Sequence, residues 1–322
     1  MNVLLIIEGT YPWYRGGVSE WIYQYLHHLS EINFTIIQIA TDEFKELDPN
    51  DALYPITKNI QEFIRVDPPE SEPMTASALE PWYHQLYSEF SELDSMDLIH
   101  VTNTGFAGWL GARIKSTYNR PMILTEHAIY WKEVEIGANA LECGYQIPQD
   151  TIGKKHTIEF FRELAKTTYK VASEIFTVSK INISEQQKLG AKNIKYVPNG
   201  ISKQRLQASK KRADAPHIAW VGRCAEMKNP LAFFDYVKQF RHHQLSPKFS
   251  MLLCDANENV LKDKVRETAK KYPEVDVIWN EQAAKYYKDF DFLIITSKNE
   301  SQPLVMLESI ASKAIPVGYQ VG

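Results

Sequence analysis

Cysteine is scarce in this sequence. Cys143, Cys224 and Cys254 are the three in 322 residues, and none forms a Cys-x-x-Cys pair. That fits a reducing compartment and gives neither a disulfide framework nor a zinc spacing. Long apolar runs are missing too: nothing approaches the roughly 18 residues of a spanning helix. The start, Met1-Asn-Val-Leu-Leu-Ile-Ile-Glu8, lacks the basic region and apolar length of a signal peptide. A soluble, cytoplasmic chain is therefore expected. The net charge of −4 supplies no basic field for nucleic acid, so none is expected as a partner. No Gly-x-Gly-x-x-Gly is present, which disfavours a dinucleotide dehydrogenase.

What is there suits an α/β protein with two cores, the chain being 44% hydrophobic. Val3 to Ile7 reads as a buried strand, followed by a loop holding Gly16 and Gly17. Val18, Trp21, Ile22, Tyr25, Leu26 and Leu29 then mark an amphipathic helix, and Phe34 to Ala40 a second strand. Such a βαβ unit could bring backbone close to a ligand at the paired glycines, though Gly-Gly also serves as a plain turn. Six prolines break residues 41–95, read as a connection with a helix near Tyr83 to Leu93. Further strands are expected at 97–101, 122–125, 174–179 and 194–201, with helices at 104–118 and 158–172. Between them, residues 131–155 read as an active-site loop.

The polar run from Ser202 to Pro216 separates this series from a second one. That second series has strands at 217–221, 249–254, 275–279 and 292–296 and a helix from about Pro230. The expected domains are 1–204 and 217–322, with 205–216 as linker. Strand ends in open α/β sheets carry ligand residues. His127 stands at one such end and Glu300 at another. After Glu300, Ser301-Gln302-Pro303-Leu304 reads as a helix start, whose outward N–H groups suit an anion. Glu308 falls on the stripe of Leu304, Leu307 and Ala311, where a carboxylate is costly unless something charged or hydroxyl-bearing meets it. Carboxylates for hydroxyls and a helix start for phosphate suit a sugar nucleotide. Two glutamates eight apart also occur on ordinary solvated helices.

Glu300 and Glu308 resemble the Glu-x7-Glu signature of retaining glycosyltransferases of family 4. The run from Glu8 to Trp21 is similar to the start of the PelF-like branch of that family, and Thr125-Glu-His-Ala-Ile-Tyr130 to its histidine motif. Gly222-Arg223, with Lys228 five residues on, resembles the family's diphosphate clamp. The resemblance implies a GT-B fold, in which two Rossmann-like domains face a cleft. It implies a metal-independent hexosyltransferase of exopolysaccharide synthesis, with a UDP-glucose donor as substrate, a glycan acceptor and no cofactor.

Arg223 and Lys228 would hold the diphosphate, Glu308 the ribose, and Glu300 and His127 the sugar. Gly16 and Gly17 would line the cleft, and Ser301, Gln302, Pro303 and Leu304 the donor site. Fixed cations stabilise a leaving group that gains negative charge. No metal is expected, and Asp289-Phe-Asp291 is read as a structural lead into the strand that follows. Peripheral association with a membrane polysaccharide-synthesis complex is compatible with this reading.

Departures are Ala128 and Ser301, each where the pattern has Gly; Ser301 would be strained at positive φ. The pattern also continues past Gly322, so an incomplete second domain is expected. A non-catalytic nucleotide-sugar-binding subunit and a sugar-nucleotide epimerase are the alternative readings.

Overall fold

A strand that is apolar at every position has to be covered on both faces, as parallel sheets are. From Val3 to Ile7, β1 (Asn2–Glu8) is such a strand. In the computed structural model its Val3, Leu5 and Ile7 pack on one side and Leu4 and Ile6 on the other. The structure describes all residues except 10, 42–43, 45, 70–74, 88–89, 91–92, 139–140, 142, 202–214, 257 and 322. The chain divides into two compact units, Met1–Pro198 and Asn199–Val321. All but the last two residues of the expected 205–216 linker lie outside the described ones.

In the first unit β1 is joined by β2 (Asn33–Ile39), β3 (Ile60–Val66), β4 (Leu98–Val101), β5 (Met122–Glu126), β6 (Glu174–Thr177) and β7 (Ile194–Tyr196). Their order is β3-β2-β1-β4-β5-β6-β7, every described pairing parallel. Helix α1 (Gly17–His28) covers one face through Ile22 and Leu26. On the other face lies α3 (Phe106–Tyr118), against α5 (Thr151–Val171). A Cβ at Gly111 would meet Val101 at 2.5 Å, so α3 sits on β4 closer than a side chain permits.

Several elements differ from the expectation. β3 is a strand where a connection was read. Its Gln61, Glu62 and Arg65 interrupt the apolar pattern, as an edge strand allows. Helix α2 (Glu80–Tyr87) starts before Tyr83. The 131–155 loop is framed by helices: α4 (Tyr130–Glu135) enters it, and α5 begins at Thr151. Asp150 caps α5 by accepting a hydrogen bond from the Gly153 N–H at 2.8 Å. Helix α6 (Lys180–Lys188) fills the gap before β7, which is shorter than the 194–201 expected.

The second unit carries β8 (His217–Arg223), β9 (Lys248–Cys254), β10 (Val275–Trp279), β11 (Phe292–Ile295) and β12 (Ile315–Gly318), in parallel order β10-β9-β8-β11-β12. Helices α7 (Leu231–His242), α8 (Asn259–Ala269) and α9 (Leu304–Ala311) connect them. Ile218 and Trp220 pack on one face of β8, Ala219 and Val221 on the other. Both sheets are doubly wound.

Candidate functional site

In the second unit the strand order reverses between β8 and β11: the chain winds outward one way from β8, then returns to β11 on its other side. Ligands in such sheets bind beyond the carboxyl ends of the strands at that switch point. Arg223 is the last residue of β8, and Lys228 ends the short turn that follows, Glu226–Lys228. Ser297 and Glu300 follow β11. The two loops meet there. Lys228 Nζ lies 2.5 Å from Glu300 Oε1, and Ser297 donates to the same oxygen at 2.7 Å.

Three further links hold the loops together. Thr296 Oγ1 accepts from the Trp220 indole N–H at 2.8 Å, and is as near to the carbonyl oxygens of Lys228 and Asn229. The Lys298 N–H donates to the Met227 carbonyl at 2.8 Å, and Lys298 Nζ pairs with Glu226 at 2.7 Å. Glu258 accepts from the Glu226 N–H. Burial pushes the Glu258 carboxyl above its ordinary range, with Arg223 and Lys298 among the charges that oppose this.

Helix α9 corrects the expected helix start. Its N-cap is Pro303, at φ −70°. Ser301 and Gln302 therefore precede it, and Ser301 does not stand at positive φ, so no backbone strain arises there. Gln302 Oε1 accepts from the Asn199 N–H. The helix phase also differs: Val305 and Met306 pack on the core and Ser309 is buried, in place of the stripe of Leu304, Leu307 and Ala311. Glu308 is half-buried and accepts the Tyr287 hydroxyl at 2.8 Å, which supplies the partner a carboxylate at that depth requires. Asp291 accepts from the His217 N–H at 2.8 Å, tying the start of β8 to β11.

In the first unit, Gly16 is the N-cap of α1 in extended backbone and, as a glycine, brings no side-chain cap of its own. The preceding loop is anchored through buried Gln38, whose Nε2 donates to the Gly9 and Tyr11 carbonyls. His127 directly follows β5 and is 9% exposed. Burial lowers its pKa to about 4, and that of buried His100 to about 3, where the nearby His127 adds to the effect. Glu126 is fully buried and turns the other way, accepting from Thr104, Tyr169 and Gln186 at 2.7, 2.7 and 2.6 Å. Burial raises the Glu126 carboxyl despite these three donors.

The structure thus brings Lys228 and Glu300 into contact and sets Arg223 on the adjoining strand end. Glu308 sits on Tyr287. Gly16, Gly17 and His127 belong to the first unit. Sequence reading missed Ser297, Tyr287 and the Glu226–Lys298 pair. Lys298 pairs across 72 residues and Tyr287 across 21, so no local spacing announces either.

A model described as a domain of unknown function, DUF3492, matches residues 1–80 and 76–194. The chain belongs to the DUF3492 family. No curated protein matches its sequence. Among solved structures, Anabaena HepE in complex with UDP is similar at TM-score 0.67 and 15% identity, over 99% of this chain and 81% of that one. Sucrose-phosphate synthase from Thermosynechococcus elongatus gives TM-score 0.70 and 15% identity, over 100% and 82%. The lipopolysaccharide outer core galactosyltransferase WaaB gives 0.57 and 13%, over 100% and 81%. This DUF3492 protein therefore has the GT-B fold expected from its sequence. Among its described residues, no helix is long and apolar enough to cross a membrane.

Proposed function

We propose that this chain is a glycosyltransferase of the PelF-like type in family 4: retaining, metal-independent, and moving a hexose from UDP-glucose to a glycan acceptor in exopolysaccharide or cell-surface polysaccharide synthesis. The observation that carries the reading is the Lys228–Glu300–Ser297 cluster beside Arg223 at the switch point of the second sheet. Lys228 and Glu300 hold each other ready, and a sugar nucleotide exchanges that pairing for two better ones. Its diphosphate takes Lys228 and Arg223, and a sugar hydroxyl takes Glu300. Glu308 meets the ribose, and Ser301, Gln302, Pro303 and Leu304 border the donor. His127 meets the sugar, and Gly16 and Gly17 admit it at a helix start.

As the bond from sugar to diphosphate breaks, negative charge grows on the leaving phosphate. The guanidinium and ammonium groups are then worth more than in the ground state, which is what lowers the barrier. The departing phosphate accepts the acceptor's proton, so transfer proceeds on the face that the leaving group vacates. The UDP held by the similar HepE supports a uridine nucleotide as the donor's carrier.

Titration calorimetry with UDP, UDP-glucose and GDP-mannose, on wild type and Arg223→Ala, tests this. Micromolar UDP binding that is lost in the variant is the expected result. No binding of any nucleotide by the wild type would remove the donor site. Binding without donor hydrolysis or transfer would favour a non-catalytic binding subunit.

A further inference from the structure

Helix α1 carries an aromatic side chain whose partners run through three elements and return to a single histidine. Trp21 lies one turn into the helix. Its ring centroid is 4.5 Å from that of His127 at an interplanar angle of 64°, an edge-on contact. One turn further on, Tyr25 stacks on Trp21 at 5.0 Å and 10°. The Tyr25 hydroxyl is 2.9 Å from His100 Nδ1 on β4, and His100 Nε2 is 2.8 Å from Thr125 Oγ1 on β5. Thr125 stands two residues before His127, so the series of contacts closes on itself. Trp21 also meets His100 edge-on at 6.0 Å.

Each member of this series contacts the next, and the series ends at His127, which is 9% exposed. His127 Nε2 is buried without a hydrogen-bond partner among the described residues. A buried polar atom in that condition is costly, and a ligand group that pairs with it recovers the cost.

We propose that Trp21 is a positioning residue for His127, its indole holding the imidazole dry and in one orientation so that Nε2 is presented to a hydroxyl of the bound sugar. The inference rests on the transferase reading above and adds to it the residue that sets the histidine's geometry. Aromatic rings favour such edge-on contacts over looser ones, and a flat indole removes water from one side of the ring. The orientation matters because small displacements of a contacting group are expensive in transfer reactions. Dryness matters because the sugar becomes cationic as its bond breaks, and an imidazolium beside it would oppose that charge. The titratable group that interacts with His127 from a neighbouring element is His100 on β4, and the Tyr25 hydroxyl on α1 meets His100 in turn; Glu126 is occupied by Thr104, Tyr169 and Gln186.

The test compares wild type with Trp21→Ala, Trp21→Leu and Trp21→Phe. Trp21→Leu keeps apolar volume without a ring, should the alanine variant fail to fold. Nitrogen-15 NMR of the histidine rings reads the His127 titration without any need for turnover, and donor kinetics read kcat and KM separately. In wild type His127 titrates near pH 4. In Trp21→Ala and Trp21→Leu the midpoint rises by about one unit or more. In both, kcat falls roughly 100-fold while KM for the donor stays within about three-fold. Trp21→Phe restores both readouts.

An unchanged His127 titration and kcat in the alanine and leucine variants would overturn the proposal. Absence of donor binding and transfer in the wild type would instead remove the transferase reading, and the titration alone would then decide whether Trp21 governs His127.

Discussion

The N-terminal unit holds its candidate histidines by rings and neutral hydroxyls: Trp21 and Tyr25 against the imidazoles, Tyr25 and Thr125 on the two nitrogens of His100. The C-terminal unit holds its candidate residues by charge, pairing Lys228 with Glu300 and Lys298 with Glu226 across the same two loops. A dry neutral cluster suits a hydroxyl, because it adds no charge that the ligand must answer. A partly exposed cluster of paired ions suits a diphosphate, because the ligand can replace one partner of each pair without stranding the other. The comparison teaches that affinity for nucleotide should reside in the second unit.

The largest effects test that division directly. Glu300→Ala and Arg223→Ala are each expected to lower transfer about 1000-fold or more, as loss of a charge-stabilising group does. Glu300→Gln sharpens the point. It releases Lys228 from its partner, so UDP affinity should hold or improve while the preference for UDP-glucose over UDP disappears. His127→Ala should lower kcat and leave UDP affinity within about three-fold. Calorimetry in which His127→Ala weakened UDP as much as Lys228→Ala does would erase the distinction between the units.

Next comes the buried carboxylate. Glu126 accepts from three neutral donors, whereas Glu300 is answered by a cation. Glu126→Ala strands Thr104, Tyr169 and Gln186 around a cavity and should cost about 3 kcal/mol in denaturant unfolding. Glu126→Gln keeps the shape and removes the buried charge. It should cost under about 1 kcal/mol, since the Gln186 side-chain oxygen, which has no hydrogen-bond partner among the described residues, can accept from the new amide. Equal losses in both variants would mean that charge, not hydrogen bonding, holds this site.

Acid stability follows. The pKa of His127 drops from 6.5 to about 4 on folding, and that of His100 to about 3. A depressed pKa means that the unfolded chain binds the extra proton first. Stability from this source is therefore complete above pH 6.5 and is lost as pH falls toward 4 and then 3. The loss is on the order of 3 kcal/mol for His127 and about 5 kcal/mol for His100. Urea unfolding at pH 7 and pH 5 should show it, and His127→Gln should flatten the dependence. In the second unit burial also lowers the His217 pKa, with Lys248 adding to the effect, so that unit loses stability in acid in the same direction.

Much of this architecture was legible in the sequence, and the reason is burial. β1, β10 and β11 read within a residue or so of their ends because nearly every position is apolar; β1 and β11 are inner strands, whereas edge strand β10 is legible through Val275, Val277, Ile278 and Trp279. β3 escaped notice because an edge strand tolerates Glu62 and Arg65. The phase of α9 was misread because Leu304-Val-Met-Leu307 is apolar at four successive positions, so several faces fit a stripe equally well. At the site, the residue types at the strand ends were readable, since strand ends are set by local pattern. Their partners were not. Lys228 meets Glu300, and Trp21 meets His127, across sequence distances that only the folded sheet closes.

The smallest expected effect lies beside the largest. Lys298 and Glu226 pair at 2.7 Å in the same pair of loops as Lys228 and Glu300, yet each is 37% exposed where Glu300 is 10%. Water already screens the outer pair, and two long side chains lose freedom to form it. Lys298→Ala should therefore move unfolding stability by no more than about 0.5 kcal/mol. The Lys298 backbone N–H still holds the Met227 carbonyl in that variant, so the loops stay joined. Any loss of UDP affinity should then be small and should vanish in high salt, as an exposed cation's contribution does. A salt-resistant loss of ten-fold or more would instead place Lys298 on the diphosphate, extending the charged cluster by one residue.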